Sequence, residues 1–452
     1  MSSPLPARDR EWPELLELAW LAMPLVLTNL GNMMLSLVDI AIIGRIGAVE
    51  IAAAGLGNAI FFLFAIFGMG ILFGLDPLIA QAMGAGERRT ARRLLWQGLW
   101  ISGVATIPLT LGVLAISTQL HRFGVEPAVE EATRLYLYAR IPSLLPFLAL
   151  MSVRSYLQAH GHGMILLVAV AIANVVNVPV ALGLSFGEPG LGIPALGIAG
   201  AGLATGIATA AQLGVACVGF LWIQVPDGSN PLRAFDRALA ARVWSIGRAI
   251  GAQFVIEAGS FSIVTFLVGR MGTETLGGHH IALTLVSVTF QLALGIGAAT
   301  SVRVGRAIGR GDPGATRRAG VTGITTGSAI MILGAVVLFE HPERLAALLA
   351  SDVQVIAAAA PLIVVAACFQ ISDGVQTIAQ GALRGAGDTR WPLVINLVGH
   401  YVLGLPIGLA LAHQAGLGAV GLWCGLAIGL TVVAAAMTVR FVLLSRGAIG
   451  RV

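Results

Sequence analysis

A chain of 452 residues that is 57% hydrophobic and only 11% charged, with a mean hydropathy of +0.89, lies outside the soluble globular class, in which roughly a quarter of residues are charged. A β-barrel is excluded as well, because its strands run ~10 residues with alternating polarity, whereas here the apolar stretches are long enough to cross a hydrocarbon core of ~30 Å as helices. The net charge of +5 rests on 27 arginines and no lysine, which closes any mechanism that needs a lysine amine.

Residues 1–17 are short, polar and mixed in charge, a tail expected on the cytoplasmic side. The apolar run from Leu18 to Ile43 is too long for a cleaved signal peptide and reads as a retained first spanning helix. On it Thr28, Asn32, Ser36 and Asp39 follow spacings of four, four and three, so they fall on one polar stripe. Pro24 precedes the stripe, and a missing backbone donor permits a kink there. Pro24 is therefore a candidate hinge that bends when Asp39 changes its protonation.

Further spans are predicted at 51–80, 94–119, 131–157, 164–186 and 196–223, which complete a first lobe over 18–224. Asp76, beside Pro77 near the end of the second span, reads as a structural carboxylate within reach of the interface. The fifth span adds Asn174 and Asn177. Residues 225–242, with Pro226, Asp227, Gly228, Pro231 and three arginines, form the longest polar connector and read as a cytoplasmic linker between lobes.

A second lobe over 243–452 holds spans at 243–268, 276–302, 319–339, 353–382, 391–412 and 417–443. Gln253 stands one turn before Glu257 in the seventh span, and Gln370, Asp373, Thr377 and Gln380 share one face of the tenth. Cys217, Cys368 and Cys424 all lie in apolar stretches without metal-ligand spacing and read as small core residues. His400 is a bundle histidine worth testing as a pH sensor, whereas His279 and His280 read as interfacial.

The two lobes repeat. Gly44-Arg45-Ile46-Gly47 recurs as Gly269-Arg270-Met271-Gly272, an offset of 225 residues. Gly84-Ala85-Gly86-Glu87 recurs at that offset as Gly309-Arg310-Gly311-Asp312, each with an arginine pair behind it. These turns lack the Lys-Ser/Thr of a phosphate-binding loop, so their arginines report topology and lipid headgroups rather than nucleic acid. Of the arginines, 21 fall on the side of the termini and 6 on the other, which places both termini in the cytoplasm. The expected architecture is an all-α polytopic membrane protein of twelve helices. Its two six-helix lobes enter the membrane in the same sense and are related by a pseudo-two-fold along the membrane normal.

Asp39, Glu257 and Asp373 carry the chemistry. A carboxylate inside a span is costly when charged and marks an ion or substrate pathway, or else a structural contact between helices. Polar stripes must face other helices or a water-filled cavity, never lipid. The acids do not repeat: Asp39 corresponds to Val264, Glu257 to Asn32 and Asp373 falls opposite Phe147, so they were placed separately in each half. They could exchange protons or, with amide oxygens, hold Na⁺, and in either case attract cationic cargo. None of the three in-span acids carries the Gly-x-Gly-Asp signature of an intramembrane aspartyl protease, and a channel lacks pore-loop sequence.

Leu37-Val38-Asp39, the run Ala80-Gln81-Ala82-Met83-Gly84-Ala85-Gly86, Glu257 and the stretch from Asp373 to Asp388 together resemble the multidrug and toxic compound extrusion (MATE) family. Within that last stretch Gln376, Gly381, Leu383-Arg384-Gly385 and Gly387-Asp388 are the most specific, and the three acids together are similar to its NorM-like branch. The resemblance spans the whole chain. It implies an antiporter in the bacterial inner membrane that exports amphipathic, mostly cationic organic compounds by alternating access. H⁺ or Na⁺ would be the coupling ion, with no cofactor, and the chain would act as a monomer. An exporter of lipid-linked saccharides or an endogenous metabolite is the alternative within transport.

By that resemblance Asp39, Glu257 and Asp373 are the coupling residues, and Glu257 with Asp373 is the candidate Na⁺ site. Asn32, Ser36, Asn174, Asn177, Gln253, Phe369, Gln370, Gln376 and Thr377 would line the cleft. Phe369, a turn before Asp373, departs from a tyrosine that could lend oxygen to a cation.

Overall fold

The computed structural model describes residues 14–188, 190, 192, 194–224 and 233–452, so the tail up to residue 13 and linker residues 225–232 lie outside the described residues. Among the described residues, twelve helices are long and apolar enough to cross a membrane. In the first half they are α1 Glu14–Ile43, α2 Ala48–Gly84, α3 Arg88–Ser117, α4 Pro127–Ala159, α5 Gly163–Phe186 and α6 Ile198–Leu221. In the second half they are α7 Arg237–Gly269, α8 Thr273–Gly309, α9 Pro313–Glu340, α10 Val353–Gly385, α11 Arg390–His413 and α12 Gly418–Leu444. Helix α7 starts at Arg237 rather than 243, because Asp236 caps it by accepting from Ala238 N and Leu239 N at 2.9 and 3.1 Å. Helix α1 starts at Glu14 rather than 18, and Glu14 and Glu17 both pair with Arg303 of α8.

Three helices break, each for a local reason. In α2 Pro77 has no N–H for the Phe73 carbonyl, which accepts from Asp76 N at 3.2 Å instead. In α4 a 3₁₀ turn at Ile141–Ser143 surrounds Pro142. In α11 the segment Val398–Gly404 is π-helical. There Gly399 and Gly404 press against the Gly429 and Gly425 carbonyls of α12, each 3.1 Å from where a Cβ would stand.

The repeat is visible as symmetry. Gly86, Gly161, Gly311 and Gly387 all take positive φ, between 70° and 79°. Each closes a helix in a Schellman turn, with long bonds Glu87 N to Ala82 O, His162 N to Leu157 O, Asp312 N to Ala307 O and Asp388 N to Leu383 O. Contacts between the halves obey the same offset. A Cβ on Gly70 would strike the backbone of Gly251, and one on Gly295 would stand 2.7 Å from Val26 N; each residue of the first pair maps onto the second. Ala80 and Gly305 are repeat mates that touch each other, as are Gly84 and Gly309, so the pseudo-two-fold passes between α2 and α8.

All these contacts gather at one end. There lie the N-terminal parts of α1 and α7, the C-terminal parts of α2 and α8, the described termini and the arginine-rich turns. Because α1 and α7 run the same way, the axis is parallel to the helices. Beyond Asn29, whose amide donates to Gln291 O at 3.4 Å, α1 exposes Asn32, Ser36 and Ile40. On the other half α7 exposes Ser262 and Phe266 past Phe254. The halves join at the closed end and part toward the other, leaving a cleft. The three cysteines are free, and Cys368 is exposed rather than in the core.

Candidate functional site

In the C-terminal lobe Glu257 is half-buried, one turn past Phe254, where the halves part. Its Oε1 accepts from Gln376 Nε2 of α10 at 3.1 Å. Asp373, one turn before Gln376, is 4% exposed and is the charged neighbour of Glu257. The turn of α7 that carries Glu257 is held from outside the pair: Ser260 Oγ donates to Glu257 O at 2.8 Å and Tyr401 Oη donates to Ile256 O at 3.0 Å. His400 lies fully buried with Nδ1 3.5 Å from Ser260 Oγ. His400 and Tyr401 both belong to the π-helical segment of α11, a distortion often found at functional sites. Two carboxyls therefore lie near one another, with an amide donating to one of them. Among the described residues no arginine forms an ion pair with either acid.

The remaining predicted residues of this lobe divide. Gln253 and Thr377 are buried close to the junction of the halves, with Thr377 O packed against Gly297. Gln370 is turned away from the cleft, donating to Met331 O of α9 at 3.1 Å and accepting from Thr289 at 2.9 Å. Phe369 is also removed from the cleft wall. It stacks edge-on against Phe261 and packs on Trp423 at 5.6 Å, 1% exposed. His279, near the start of α8, is buried, bonded to Thr265 at 2.9 Å and accepting from Trp423 Nε1 at 3.0 Å.

In the N-terminal lobe Asp39 is 7% exposed, one turn from the end of α1. Its Oδ2 accepts from Thr205 Oγ1 of α6 at 2.8 Å, and the fully buried Asn177 amide faces the same carboxyl. Asn174 serves packing instead, donating to Gly31 O of α1 at 3.0 Å. Asn32 accepts from Gln212 at 3.2 Å, while Ser36 is exposed with its hydroxyl on Asn32 O at 3.5 Å. Pro24 is buried against Gly163, and Thr28 bonds its carbonyl at 2.7 Å within an unbroken α1. Because the repeat mate of Glu257 is Asn32, Asp39 stands about 10 Å further out than symmetry would put it.

Sequence reasoning missed the partners Thr205, Ser260, Tyr136 and Tyr401, which carry no signal of their own in an apolar helix. It also read the arginines only as markers of topology. Arg140 is in fact inside the first lobe beside Asp39, and Arg384 is buried at the junction, 3.5 Å from Asp76. Asp76 is a structural carboxylate, as expected, with its partners inside the protein. It is 8% exposed, accepts from Ser155 at 2.6 Å and ties α2 to α10 across the two halves. For metals, the described residues hold no group of three or more His, Cys, Asp or Glu that could form a site. A Na⁺ ion at Glu257 and Asp373 would need amide, hydroxyl or carbonyl oxygens to complete its shell.

The chain is similar over nearly its whole length to curated bacterial proteins. It is 36% identical over 451 residues to a probable multidrug resistance protein NorM from Rhodopseudomonas palustris, covering 98% of this chain and 95% of that one. A protein of the same description from Deinococcus radiodurans is 36% identical over 446 residues, with 96% of each covered. The crystal structure of a Vibrio cholerae MATE transporter variant superimposes with a TM-score of 0.86 at 19% identity, covering 96% of this chain and 98% of that one. The MatE family pattern matches residues 24–182 and 249–410, one segment in each lobe. With the fold, the duplicated lobes and these matches agreeing, the chain belongs to the MatE family, among relatives of the NorM type.

Proposed function

We propose that this multi-pass membrane protein is a multidrug efflux antiporter of the bacterial plasma membrane. It exports amphipathic, mostly cationic organic compounds in exchange for H⁺ or Na⁺, as a monomer, with the closed, arginine-rich end and both termini in the cytoplasm. The observation that carries this reading is the carboxyl pair Glu257 and Asp373, with Gln376 donating to Glu257, close to where the lobes part. A carboxyl pair without a basic partner in a low-dielectric wall binds a cation, a proton or a positively charged cargo far better than it tolerates emptiness. Competition for that pair couples the two fluxes. Entry of the exchanged cation expels cargo, and rocking of the lobes about the α2/α8 axis changes which side reaches the pair. In that cycle α1 bends at Pro24, and Asp39 supplies the polar point of the facing lobe. The gradient supplies the work, since one charge moved through 100 mV is worth ~2.3 kcal/mol.

The test is dye export from proteoliposomes under an imposed pH gradient and, separately, an imposed Na⁺ gradient. Export driven by one of them, and cut about a hundredfold in Glu257→Gln and Asp373→Asn proteins that still insert, is the expected result; the loss corresponds to ~2.7 kcal/mol. Export indifferent to both gradients would overturn antiport. Wild-type export by both variants would return the acids to a structural role.

A further inference from the structure

Behind the acid pair a seam between α7, α10 and the start of α11 runs toward the closed end. Gln253 and Gln380 each stand one turn nearer that end than Glu257 and Gln376, and Arg384 lies ~12 Å beyond Gln376 along α10. A narrow cavity with room for about one water opens there, lined by Ile250, Gln253, Gln380, Arg384, Thr389 and Pro392. Gln253, Gln376 and Gln380 are at least nine-tenths buried, yet Gln253 Nε2, Gln376 Oε1 and Gln380 Nε2 make no hydrogen bond among the described residues. Buried amides left open in this way hold water. The charges at the wall are matched: Arg384 stands 3.5 Å from Asp76 of the other half, and Asp388 accepts from Arg440 at 2.8 Å. The first lobe closes the corresponding place. Gly161 and Gly387 end equivalent helices, so Gly163 corresponds to Thr389, while Pro24 and Leu25 are the repeat mates of Ala249 and Ile250. A Cβ on Gly163 would stand 3.2 Å from Pro24 Cβ and 3.5 Å from Leu25 Cδ2, so apolar contact fills what the cavity occupies in the second lobe. Thr28, the mate of Gln253, has its hydroxyl satisfied by Pro24 O at 2.7 Å. The polar seam thus belongs to the lobe that carries the acid pair.

We propose that the exchanged cation leaves Glu257 and Asp373 for the cytoplasm through the second lobe itself, along this seam, with Gln253 and Gln380 as its gate, while cargo keeps to the cleft. This separation of routes rests on the antiporter reading above, which puts the closed end in the cytoplasm. A passage about one water wide carries a proton along water, or a small cation that exchanges its shell for amide oxygens, and rejects an organic compound by size. Glutamine side chains are unbranched and move between staggered rotamers, so the two amides can part to open the seam and meet to shut it. Arg384 links the gate to rocking. It is held by Asp76 of the first half, so parting of the lobes at the closed end frees it from that partner and loosens the seam wall.

The experiment compares Gln253→Leu, Gln380→Leu and Gln380→Asn with wild type in two readouts: displacement of a bound cationic dye by the coupling cation in detergent, and gradient-driven export of that dye from proteoliposomes. Displacement should stay within about twofold of wild type in all three. Export should fall about tenfold in the leucine variants and less than about threefold in Gln380→Asn. Leucine variants that export at the wild-type rate overturn the proposal, because the cation then leaves by the cleft. Variants that lose displacement together with export overturn it too, because the amides would then act on the acid pair itself. The unaltered protein gives a check that no substitution can disturb. Hydroxyl radicals made from bound water by an X-ray pulse should oxidise Ile250 and Pro392 severalfold faster than Leu25 and Pro24, which are also buried. Equal rates mean a dry seam and overturn the proposal. Wild-type export indifferent to both gradients is a different failure: it removes the antiporter reading, and the exit route with it, even where the footprint shows the seam wet.

Discussion

Glu257 is positioned by neighbours that hold the backbone around it as firmly as the carboxyl. Ser260 and Tyr401 bond the carbonyls of residues 257 and 256, and Gln376 donates to its Oε1. Gln376 is fully buried on α10, so its amide orients the carboxyl without competing for charge. Gln376→Leu should therefore lower export about tenfold, a loss of ~1.4 kcal/mol, while leaving insertion and yield unchanged; single-turnover efflux of a cationic dye checks it. Retained export would mean that Asp373, not the amide, orients Glu257. The acids were legible in the sequence because an ionisable residue inside an apolar run has no cheap explanation. Their hydroxyl partners were not, since serine, threonine and tyrosine are ordinary in membrane helices. Arg140 lies within the predicted span 131–157 but was not singled out, because an arginine tally by side does not report burial.

The helices owe their registry to glycine. Where α2 crosses α7 and α1 crosses α8, Gly70 meets Gly251 and Gly295 meets Val26, backbone against backbone. Neither contact can yield, because main-chain atoms stand in the way at both, joined at Gly295 by the Val26 Cγ2 methyl. Gly295→Leu should thus hold the lobes apart at the closed end. A cysteine introduced at Ala82, buried in the closed form, would then label faster with a membrane-impermeant thiol reagent, by several-fold or more. Unchanged labelling would show that α1 and α8 separate without cost. At this scale the sequence was highly informative. All twelve spans lie where hydropathy puts them, and the 225-residue offset is the molecular axis. The breaks at Pro77 and Pro142 and the π-segment of α11 stayed hidden, because hydropathy runs on through a distorted helix unchanged. Depth was hidden as well: Asp39 and Glu257 both read as mid-span acids, yet they stand at different heights.

At the scale of the whole molecule the closed end is held by charge as well as by glycine. Arg303 binds Glu14 and Glu17, Arg306 donates to Ala159 O at 2.8 Å, and Asp76 pairs with Arg384, each across the two halves. The last residues add a strap from the second lobe to the first. Arg451 pairs with Glu87 at 2.8 Å, and Val452 N donates to Gln81 Oε1 at 2.9 Å, while Gln81 Nε2 reaches Gly385 O at 3.1 Å. The hydrogen bond from Arg451, helped by its charge, holds the Glu87 carboxyl below the ordinary glutamate range. A carboxyl depressed in this way contributes to the closed form above its free pKa of about 4.3, and the contribution disappears as the pH falls through the lowered value. Both side chains are substantially exposed, so the tie is screened by salt. Hydrogen exchange at the Val452 amide, corrected for its intrinsic rate, should then show steady protection from neutral pH down to the free glutamate range and a loss below it. Protection should also weaken at high salt and in Arg451→Gln at neutral pH. A Val452 amide equally protected in that variant would mean that Gln81 alone holds the strap, and that the charge pair contributes nothing to closing the lobes.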